Sequence, residues 1–269
     1  MIIFKSINRL NKEVNFKANI GFVPTMGALH KGHFSLIKSS KKKCKKTLVS
    51  IFVNPSQFNK KNDYKNYPRN LKRDIKILKI LKVDYLLIPK INEIYKNKKT
   101  MKIKLNKKDK ILCVKYRPGH FEGVLAIINQ FLINIKAKFM FLGEKDYQQI
   151  HLLKKFIKSK FKTKIIPCKT VRLNNSLAYS SRNFLLSKNE IQKASLISNS
   201  VRNFYLSIKK NFRNKNNINE IKKNIESKRI KVDYFELRNK KNLSKKIDKN
   251  NFKIFIAYYI NNIRLIDNF

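Results

Sequence analysis

The sequence predicts an α/β protein. Residues 1–170 are expected to form a Rossmann-like parallel sheet with helices on both faces, and residues 171–269 a small α+β C-terminal domain. In the first part, short apolar runs alternate with segments of helical periodicity, which is the pattern of a parallel sheet. Polar and glycine-containing segments follow several of these runs, where such a sheet binds its ligands. Beyond residue 170, strand-like runs instead follow one another along the chain.

Each element of the first domain is predicted from its own pattern. Apolar runs predict strands at Ile20–Val23, Leu48–Val53, Tyr85–Ile88, Phe139–Leu142 and Ile165–Ile166. Apolar residues three and four positions apart predict helices at Phe34–Lys46, Asn70–Leu81, Gly123–Ile135 and Tyr147–Lys160. The loops that follow the strands are therefore expected to share one edge of the sheet.

The second domain is predicted to begin with two helices and to end with three strands. The helices lie at Lys188–Lys209 and Ile218–Ser227, with a loop over the polar stretch Asn211–Asn219, and the strands at Val232–Leu237, Phe252–Ile260 and Ile263–Ile266. Asn261-Asn262 predicts a tight hairpin turn between the last two strands.

The chain is strongly basic, with 63 Lys+Arg, 16 Asp+Glu and a formal net charge of +47. A charge of this size is typical of proteins that bind nucleic acids or anionic membranes. A nucleic-acid-binding surface, however, clusters its lysines on one face with exposed aromatic residues between them. Here the lysines run through nearly every segment, beside abundant Asn and Ile. We attribute the charge to the residue usage of an AT-rich genome, and expect only weak polyanion binding at low salt and no specific nucleic-acid partner.

Cysteine usage and hydropathy predict a cytoplasmic protein. Cys44, Cys113 and Cys168 are odd in number and far apart, which favours reduced thiols over a disulfide framework or a zinc site. The apolar part of the N-terminal segment is too short for a signal peptide. The most apolar stretch, residues 123–135, falls short of the ~18 residues that a membrane-spanning helix needs, so no membrane association is expected.

The loop Pro24–His33, after the first predicted strand, has the layout of a phosphate-binding turn. Gly27 and Gly32 let backbone N–H groups approach a phosphate, and the N-terminus of the next helix favours negative charge. His30 and His33 are one helical turn apart, so both imidazoles can face one ligand and stabilise charge on a leaving group. A single such histidine is more often structural, but the pair with its strand and glycine favours a functional role.

Polar side chains also follow two other strands of the predicted sheet. Asn54 and Gln57 can hold a carboxylate or a hydroxyl group, or can form an ordinary turn. Lys145 is a point charge suited to a phosphate, and Gln149 lies one turn into the following helix. Asp146 can cap that helix, reach a metal or fix Lys145.

A last polar segment opens the second domain. Two hydroxyl groups and a guanidinium at Ser180, Ser181 and Arg182 suit a triphosphate, although a serine pair is equally common as a helix cap. These segments together supply neutral and positive phosphate ligands, with no evident Ser-His-Asp or Cys-His arrangement. The residues alone therefore predict a nucleotide-dependent transferase or ligase that acts by positioning and charge stabilisation.

The motifs closely resemble those of the pantothenate synthetase (pantoate–β-alanine ligase) family, within the HxGH nucleotidyltransferases. The similarity covers nearly the whole chain, in order and at the family's spacing. The matching segments are Pro24–His33, Ser50–Phe58, Asp63–Arg69, Arg117–Val124, Gly143–Gln149, Ala178–Asn183 and Arg264–Asn268.

The resemblance implies an ATP-dependent ligase with a two-step reaction. Pantoate would attack the α-phosphate of ATP to give pantoyl adenylate and pyrophosphate, with Mg²⁺ on the triphosphate, and β-alanine would then give pantothenate and AMP. It further implies a homodimer and a C-terminal domain that closes over the site. Because a closed site would protect the acyl adenylate from water, the segments Lys60–Tyr67 and Arg117–His120 are candidate lids. Metal ligands are not identified by the sequence, with Asp74 and Asp146 as candidates.

The resemblance also implies roles for individual residues. His33 would be the catalytic proton donor, assisted by His30, Lys145 and Arg182. Gln57 would bind pantoate and β-alanine, Gln149 would bind pantoate, and Asn54 would contact substrate. The implied ATP contacts are Met26, Gly27, Ala28, Leu29, His30, Lys31, Gly32, His33, Gly143, Glu144, Lys145, Asp146, Val171, Tyr179, Ser180, Ser181 and Arg182.

The sequence departs from the family pattern at a few positions. Lys31 replaces a common acidic residue, Ser176 stands where glycine is usual, and Tyr179 replaces a Leu or Met. Two alternatives remain open at this point. The first is another nucleotidyltransferase with the H-x-G-H turn, which should lack Asn54–Phe58 and Gln149 as a set. The second is a basic nucleic-acid-binding protein, whose binding to nucleic acid should weaken as the salt concentration rises.

Overall fold

The computed structural model describes residues 1–95 and 103–269. These residues form two compact units. The first contains residues 1–144 and 149–169, and the second contains residues 145–148 and 170–269. The sequence predicts residues 145–148 in the first domain, whereas in the structure they group with the second unit. They join the second unit because the Tyr147 hydroxyl donates to Lys240 O (3.0 Å), and the Tyr147 ring packs edge-on against Phe255.

The first unit is built on a six-stranded sheet in the order β1-β4-β3-β2-β5-β6, in which all neighbouring strands are parallel. Its strands are β1 (Ile2–Phe4), β2 (Ile20–Thr25), β3 (Lys46–Ile51), β4 (Tyr85–Leu87), β5 (Phe139–Gly143) and β6 (Lys164–Cys168). The helices that begin in this part of the chain are α1 (Ile7–Glu13), α2 (Lys31–Lys43), α3 (Lys61–Lys65), α4 (Leu71–Ile80), α5 (Ile91–Ile94), α6 (Cys113–Tyr116), α7 (His120–Asn134) and α8 (Tyr147–Lys158).

Helices cover both faces of this sheet, as predicted. On one face, Val23 and Val49 of the strands pack with Ile37 of α2 and Leu78 of α4. On the other face, Phe131 of α7 meets Phe22 edge-on, with ring centroids 5.5 Å apart. Burying an apolar side chain of this size contributes about 1.5–3 kcal/mol, so these contacts fix the helices that carry the site.

The second unit is a three-stranded antiparallel sheet, β7-β8-β9, packed against helices. Its elements are α9 (Lys188–Lys210), α10 (Ile218–Glu226), β7 (Val232–Asn239), β8 (Phe252–Ile260) and β9 (Ile263–Asn268). Helix α9 begins at Lys188 because Ser187 and Glu190 form a capping box. The predicted hairpin turn is present, with Ile260 paired to Ile263 and Asn261 at a φ of +50°.

One local prediction for the second unit was wrong. The stretch Asn211–Asn219 is not a loop, because Phe212–Asn217 forms 3₁₀ turns and α10 follows directly. The Asn211 side chain accepts from Arg213 N (3.1 Å), and Asn214 Nδ2 donates to Ser207 O (3.1 Å). Asparagine side chains thus replace the missing backbone partners, which is why a polar stretch can still be regular. Among the described residues, no helix has the length and apolar character needed to cross a bilayer.

Candidate functional site

The loops that follow β2, β3 and β5 lie at the carboxyl edge of the parallel sheet. Strand β2 pairs with β3 on one side and β5 on the other, so the direction in which strands are added reverses at β2. Such a reversal opens a crevice at the carboxyl ends of the strands, where α/β proteins bind ligands. The sheet therefore brings the loop Met26–His30, the turn Asn54–Gln57 and residues Gly143 and Glu144 to one edge.

The loop between β2 and α2 has a strained backbone. Gly27 and Ala28 both adopt left-handed conformations, with φ values of +76° and +49°. A Cβ on Gly27 would lie 3.1 Å from Asp74 Oδ2, so glycine suits this position on both conformational and steric grounds. Alanine rarely adopts positive φ, and its surroundings must therefore hold the loop in place.

Asp74 of α4 supplies that support. Its Oδ2 accepts from Ala28 N and its Oδ1 from Leu29 N, both at 2.8 Å, and the residue is 1% exposed. Burial raises the pKa of the Asp74 carboxyl above its ordinary value, while the two hydrogen bonds and Arg73 oppose this shift. Arg73 Nη1 also donates to Leu29 O at 3.2 Å. The sequence suggested Asp74 as a metal ligand, but both of its oxygens are bound to the loop.

His30 and His33 lie side by side at the start of α2. Their ring centroids are 4.0 Å apart, and both rings are partly buried. His30 Nδ1 accepts from Gly32 N (3.1 Å), and His33 Nδ1 accepts from His30 N (3.3 Å). A neutral imidazole whose Nδ1 accepts carries its proton on Nε2. Both rings therefore have an Nε2–H donor, which is the arrangement that a phosphate oxygen requires.

Asn54 holds the turn that carries Gln57. The Asn54 side chain is buried, its Nδ2 donates to Gly123 O (3.2 Å), and its Oδ1 accepts from Ser56 N, Ser56 Oγ and the Tyr95 hydroxyl. The Asn54 amide thus holds the turn in this structure, and its predicted contact with substrate stays a prediction. Gln57 ends the 3₁₀ turn Pro55–Gln57 and is 9% exposed.

The end of β5 leaves room beside the sheet edge. A Cβ added to Gly143 would meet no atom within 4 Å, which indicates open space at this position. Glu144 follows at the start of a 3₁₀ turn, and Gln149 lies in the first turn of α8. Both side chains are half-buried.

The remaining predicted residues lie in the second unit. Lys145 Nζ pairs with Asp146 Oδ1 at 2.9 Å, so Asp146 fixes Lys145, which was one of its predicted options. Tyr179 N donates to Val171 O (3.0 Å), which places these two residues side by side. Ser180 Oγ accepts from Arg182 N (3.3 Å) and caps the 3₁₀ turn Ser181–Leu185, so Ser180 also has the structural role that the sequence left open.

The family model described as pantoate-beta-alanine ligase matches residues 2–269 of this chain. The chain belongs to this family.

Relatives of known identity are similar over their whole length. A pantothenate synthetase from Francisella tularensis subsp. novicida (strain U112) is 42% identical over 274 residues, which cover 100% of this chain and 97% of that protein. The crystal structure of pantoate-beta-alanine ligase from Francisella tularensis, complexed with beta-gamma ATP and beta-alanine, has a TM-score of 0.87 at 40% identity and covers 100% and 97% of the two chains. Pantothenate synthetase from Thermus thermophilus has a TM-score of 0.91 at 27% identity and covers 100% and 99%. The predicted family and fold class are thereby confirmed.

Ser176, where the ligase family usually has glycine, lies at a position with a left-handed backbone. Ser176 adopts a φ of +69°, a conformation that glycine accepts and serine accepts only at a cost of about 1–2 kcal/mol. Its carbonyl oxygen accepts from Arg172 Nη1 at 2.8 Å, which holds the turn. Lys31, the second departure, is exposed at the start of α2, and the third, Tyr179, is half-buried.

Sequence reasoning missed Arg172 and Asp267, which anchor the segment that runs from Val171 to Ala178. The Arg172 guanidinium makes a bidentate pair with Asp267 (2.6 and 2.9 Å) and donates to Asn268 O (2.9 Å). Burial raises the pKa of the Asp267 carboxyl, and Arg172 opposes that shift. One signal was available for Arg172. It follows a predicted strand and precedes the segment Tyr179–Arg182, which was predicted to bind ATP.

We expect Arg172→Ala to destabilise the second unit by about 3 kcal/mol, because it leaves a buried carboxylate without its partner. Urea unfolding followed by circular dichroism measures the effect. Arg213→Ala, at an exposed position of the same unit, should unfold like the wild type. An unchanged unfolding midpoint in Arg172→Ala would contradict the anchoring role.

Proposed function

We propose that this chain condenses pantoate with β-alanine to form pantothenate, in a reaction driven by conversion of ATP to AMP and pyrophosphate. Family membership over residues 2–269 carries the proposal. The left-handed loop Gly27-Ala28 and the paired imidazoles at the sheet's switch point support it, since they suit a nucleotide triphosphate.

In the proposed first step, a carboxylate oxygen of pantoate attacks the α-phosphorus of ATP. A carboxyl-oxygen–phosphorus bond forms as the bond to pyrophosphate breaks, and pantoyl adenylate results. Negative charge grows on the α-phosphoryl group and on the leaving pyrophosphate. The Nε2–H groups of His30 and His33 are suited to stabilise this charge, with His33 as the proposed proton donor and Lys145 and Arg182 as further cationic partners.

In the proposed second step, the β-alanine amine attacks the acyl carbon of the adenylate. A carbon–nitrogen bond forms, AMP leaves with the bonding electron pair, and the amine gives up a proton. Gln57 is proposed to orient pantoate and β-alanine, and Gln149 to orient pantoate, through amide groups that add no charge.

Mg²⁺ is proposed to arrive on the triphosphate. Among the described residues, no group of three or more His, Cys, Asp or Glu side chains is arranged to hold a metal ion. Both Asp74 oxygens accept from loop amides and Asp146 Oδ1 pairs with Lys145, which supports the proposal that phosphate oxygens hold most of the ion's coordination sphere. When bound, the ion would neutralise phosphate charge. A homodimeric state, a cytoplasmic location and closure of the C-terminal domain stay predictions.

Product release with substrates omitted in turn tests the proposed function. With ATP, Mg²⁺ and pantoate alone, we expect a single turnover of pyrophosphate release. Continued release of pyrophosphate and AMP, with pantothenate as product, should require pantoate and β-alanine together. Activity should persist at moderate salt, whereas polyanion binding by this chain should fall steeply. A folded protein that releases no pyrophosphate with pantoate, but does so with another carboxylate or nucleotide, would redirect the assignment to a different nucleotidyl transfer.

Gln57→Ala should raise the KM for pantoate at least tenfold while leaving the KM for ATP within about twofold, because one charge-free hydrogen-bonding group contributes about 1.4 kcal/mol. Steady-state kinetics at saturating ATP measure the effect. An unchanged dependence on pantoate would remove the Gln57 amide from the substrate site.

A further inference from the structure

The main-chain carbonyl of Gln57 is held by two side chains from the segment before α7. His120 Nδ1 lies 2.6 Å from Gln57 O, and Arg117 Nη2 donates to the same oxygen at 3.2 Å. Arg117 Nη1 lies 2.9 Å from His120 Nε2, so the three groups form a closed hydrogen-bonded triangle. We call Arg117 and His120 the brace.

The triangle determines which nitrogen of His120 carries the proton. A carbonyl oxygen can only accept, so Nδ1 must donate to Gln57 O. A guanidinium can only donate, so Nε2 must accept from Arg117. A neutral imidazole protonated at Nδ1 satisfies both contacts, and this tautomer is the opposite of the one assigned to His30 and His33.

Neighbouring contacts fix the rest of the turn to the same segment. Asn59 Nδ2 donates to Pro118 O, and Asn54 Nδ2 donates to Gly123 O (3.2 Å). A Cβ on Gly123 would lie 2.3 Å from Ser56 O, so only glycine allows α7 to approach the turn this closely. The turn is therefore held at both ends. In this structure Arg117 and His120 contact the turn directly, and the predicted lid role of Arg117–His120 stays a prediction.

We propose that His120 and Arg117 are positioning residues for substrate binding, which act by fixing the peptide from which the Gln57 side chain projects. This inference rests on the proposed role of Gln57 toward pantoate and β-alanine. The brace needs no contact with substrate. A peptide plane held by two donors cannot rotate freely, so the direction in which the Gln57 side chain leaves the backbone is fixed before the carboxylate binds. The entropic cost of placing the side-chain amide on binding is thereby reduced.

Two conservative substitutions of His120 separate its two contacts. In His120→Asn, the amide nitrogen lies near the former Nδ1 and can still donate to Gln57 O, but the contact with Arg117 is lost. In His120→Gln, the amide oxygen lies near the former Nε2 and can still accept from Arg117, but the donor to Gln57 O is lost. The two variants are matched in polarity and in the removal of the ring.

We expect His120→Gln to raise the KM for pantoate about tenfold and to leave the KM for ATP within about twofold, because one hydrogen bond to the Gln57 peptide is worth about 1.4 kcal/mol. His120→Asn should stay within about threefold of the wild type for both substrates. Equal pantoate KM values in the two variants would overturn the positioning role, even if both differ from the wild type.

A spectroscopic measurement tests the brace without relying on turnover. Long-range ¹H–¹⁵N correlation spectra at neutral pH should show His120 as the Nδ1–H tautomer, with its signals assigned by their loss in His120→Asn. The ¹³C shift of the Gln57 carbonyl should move in His120→Gln and stay close to the wild type in His120→Asn. An Nε2–H tautomer, or a carbonyl shift indifferent to both substitutions, would refute the brace.

The two measurements distinguish the possible failures. If the wild type does not use pantoate, the proposed function fails, and the tautomer and carbonyl shift still decide whether the brace exists. If the wild type uses pantoate and the spectra show the brace but pantoate KM is insensitive to it, the brace is structural and the positioning role is overturned.

Discussion

Replacing His33 with asparagine is expected to slow pyrophosphate release by about 10²–10³-fold while leaving the fold intact. In the structure, His33 Nδ1 accepts from His30 N, and an asparagine oxygen near that position can keep this contact. The substitution therefore removes the Nε2–H group alone. That group is the one suited to stabilise charge on the phosphoryl group, so the loss should fall on the chemical step.

Single-turnover release of pyrophosphate from ATP and pantoate measures this effect directly. His33→Gln is the informative partner, because its amide nitrogen lies near the former Nε2 and should restore part of the rate. Lys38→Ala, on the exposed face of the same helix, should behave as the wild type. If His33→Asn turned over at a near-normal rate, His33 would lose its assigned role in adenylate formation.

The sheet and its four longest helices, α2, α4, α7 and α8, could be predicted because each has a strong local pattern. The strand predicted at Phe252–Ile260 has the observed bounds, and the helix predicted at Lys188–Lys209 ends one residue later in the structure. Strand β1 was missed because only three residues, Ile2–Phe4, pair with β4. A run this short carries no periodicity, and its partner lies more than 80 residues away along the chain.

The sequence named Asp74 and His120 as candidates, but it did not predict that they hold backbone groups of the site loops. The loop with His30 and His33 and the segments with Gln57 and Gln149 each follow a predicted strand. The order of strands and loops along the chain therefore suffices to place them at the same edge of a parallel sheet. Asp74 and His120 instead hold backbone groups that are distant in sequence. One signal was available for Asp74. It lies four residues before Leu78, so the helical pattern places a carboxylate on the buried face of α4.

Carboxylates that are buried in this basic chain hold specific segments of backbone or a cation. Asp74 binds two loop amides, and Asp267 binds Arg172. The partly buried contact between Glu93 Oε1 and Ile7 N (2.6 Å) is similar in kind. The chain has 16 acidic and 63 basic residues, so its few carboxylates cannot balance its overall charge. Charge balance therefore does not explain why these particular carboxylates are buried. Their partners do, because an unpaired buried donor or charge is costly.

Asp74 is therefore expected to control the shape of the loop between β2 and α2, which is proposed to bind ATP. Asp74→Ala removes the acceptors of Ala28 N and Leu29 N, and each buried amide left without a partner costs about 1–3 kcal/mol. The Gly27-Ala28 backbone should then relax from its left-handed conformation, and kcat/KM for ATP should fall about 100-fold, which corresponds to about 2.7 kcal/mol. Asp74→Asn should also be impaired, because its amide nitrogen would face one of the two N–H donors.

Two controls separate this role from the alternatives. Asn70 caps α4 by accepting from Arg73 N, so Asn70→Ala should lower stability by about 1 kcal/mol and leave the KM for ATP nearly unchanged. A titration of Mg²⁺ tests the competing hypothesis that Asp74 is a metal ligand. Loss of a metal ligand would weaken the ion's affinity, and excess Mg²⁺ would restore activity to Asp74→Ala. Loss of a loop support leaves a misshapen backbone that extra metal cannot correct, so activity should stay low at every Mg²⁺ concentration, and recovery would return Asp74 to the metal site.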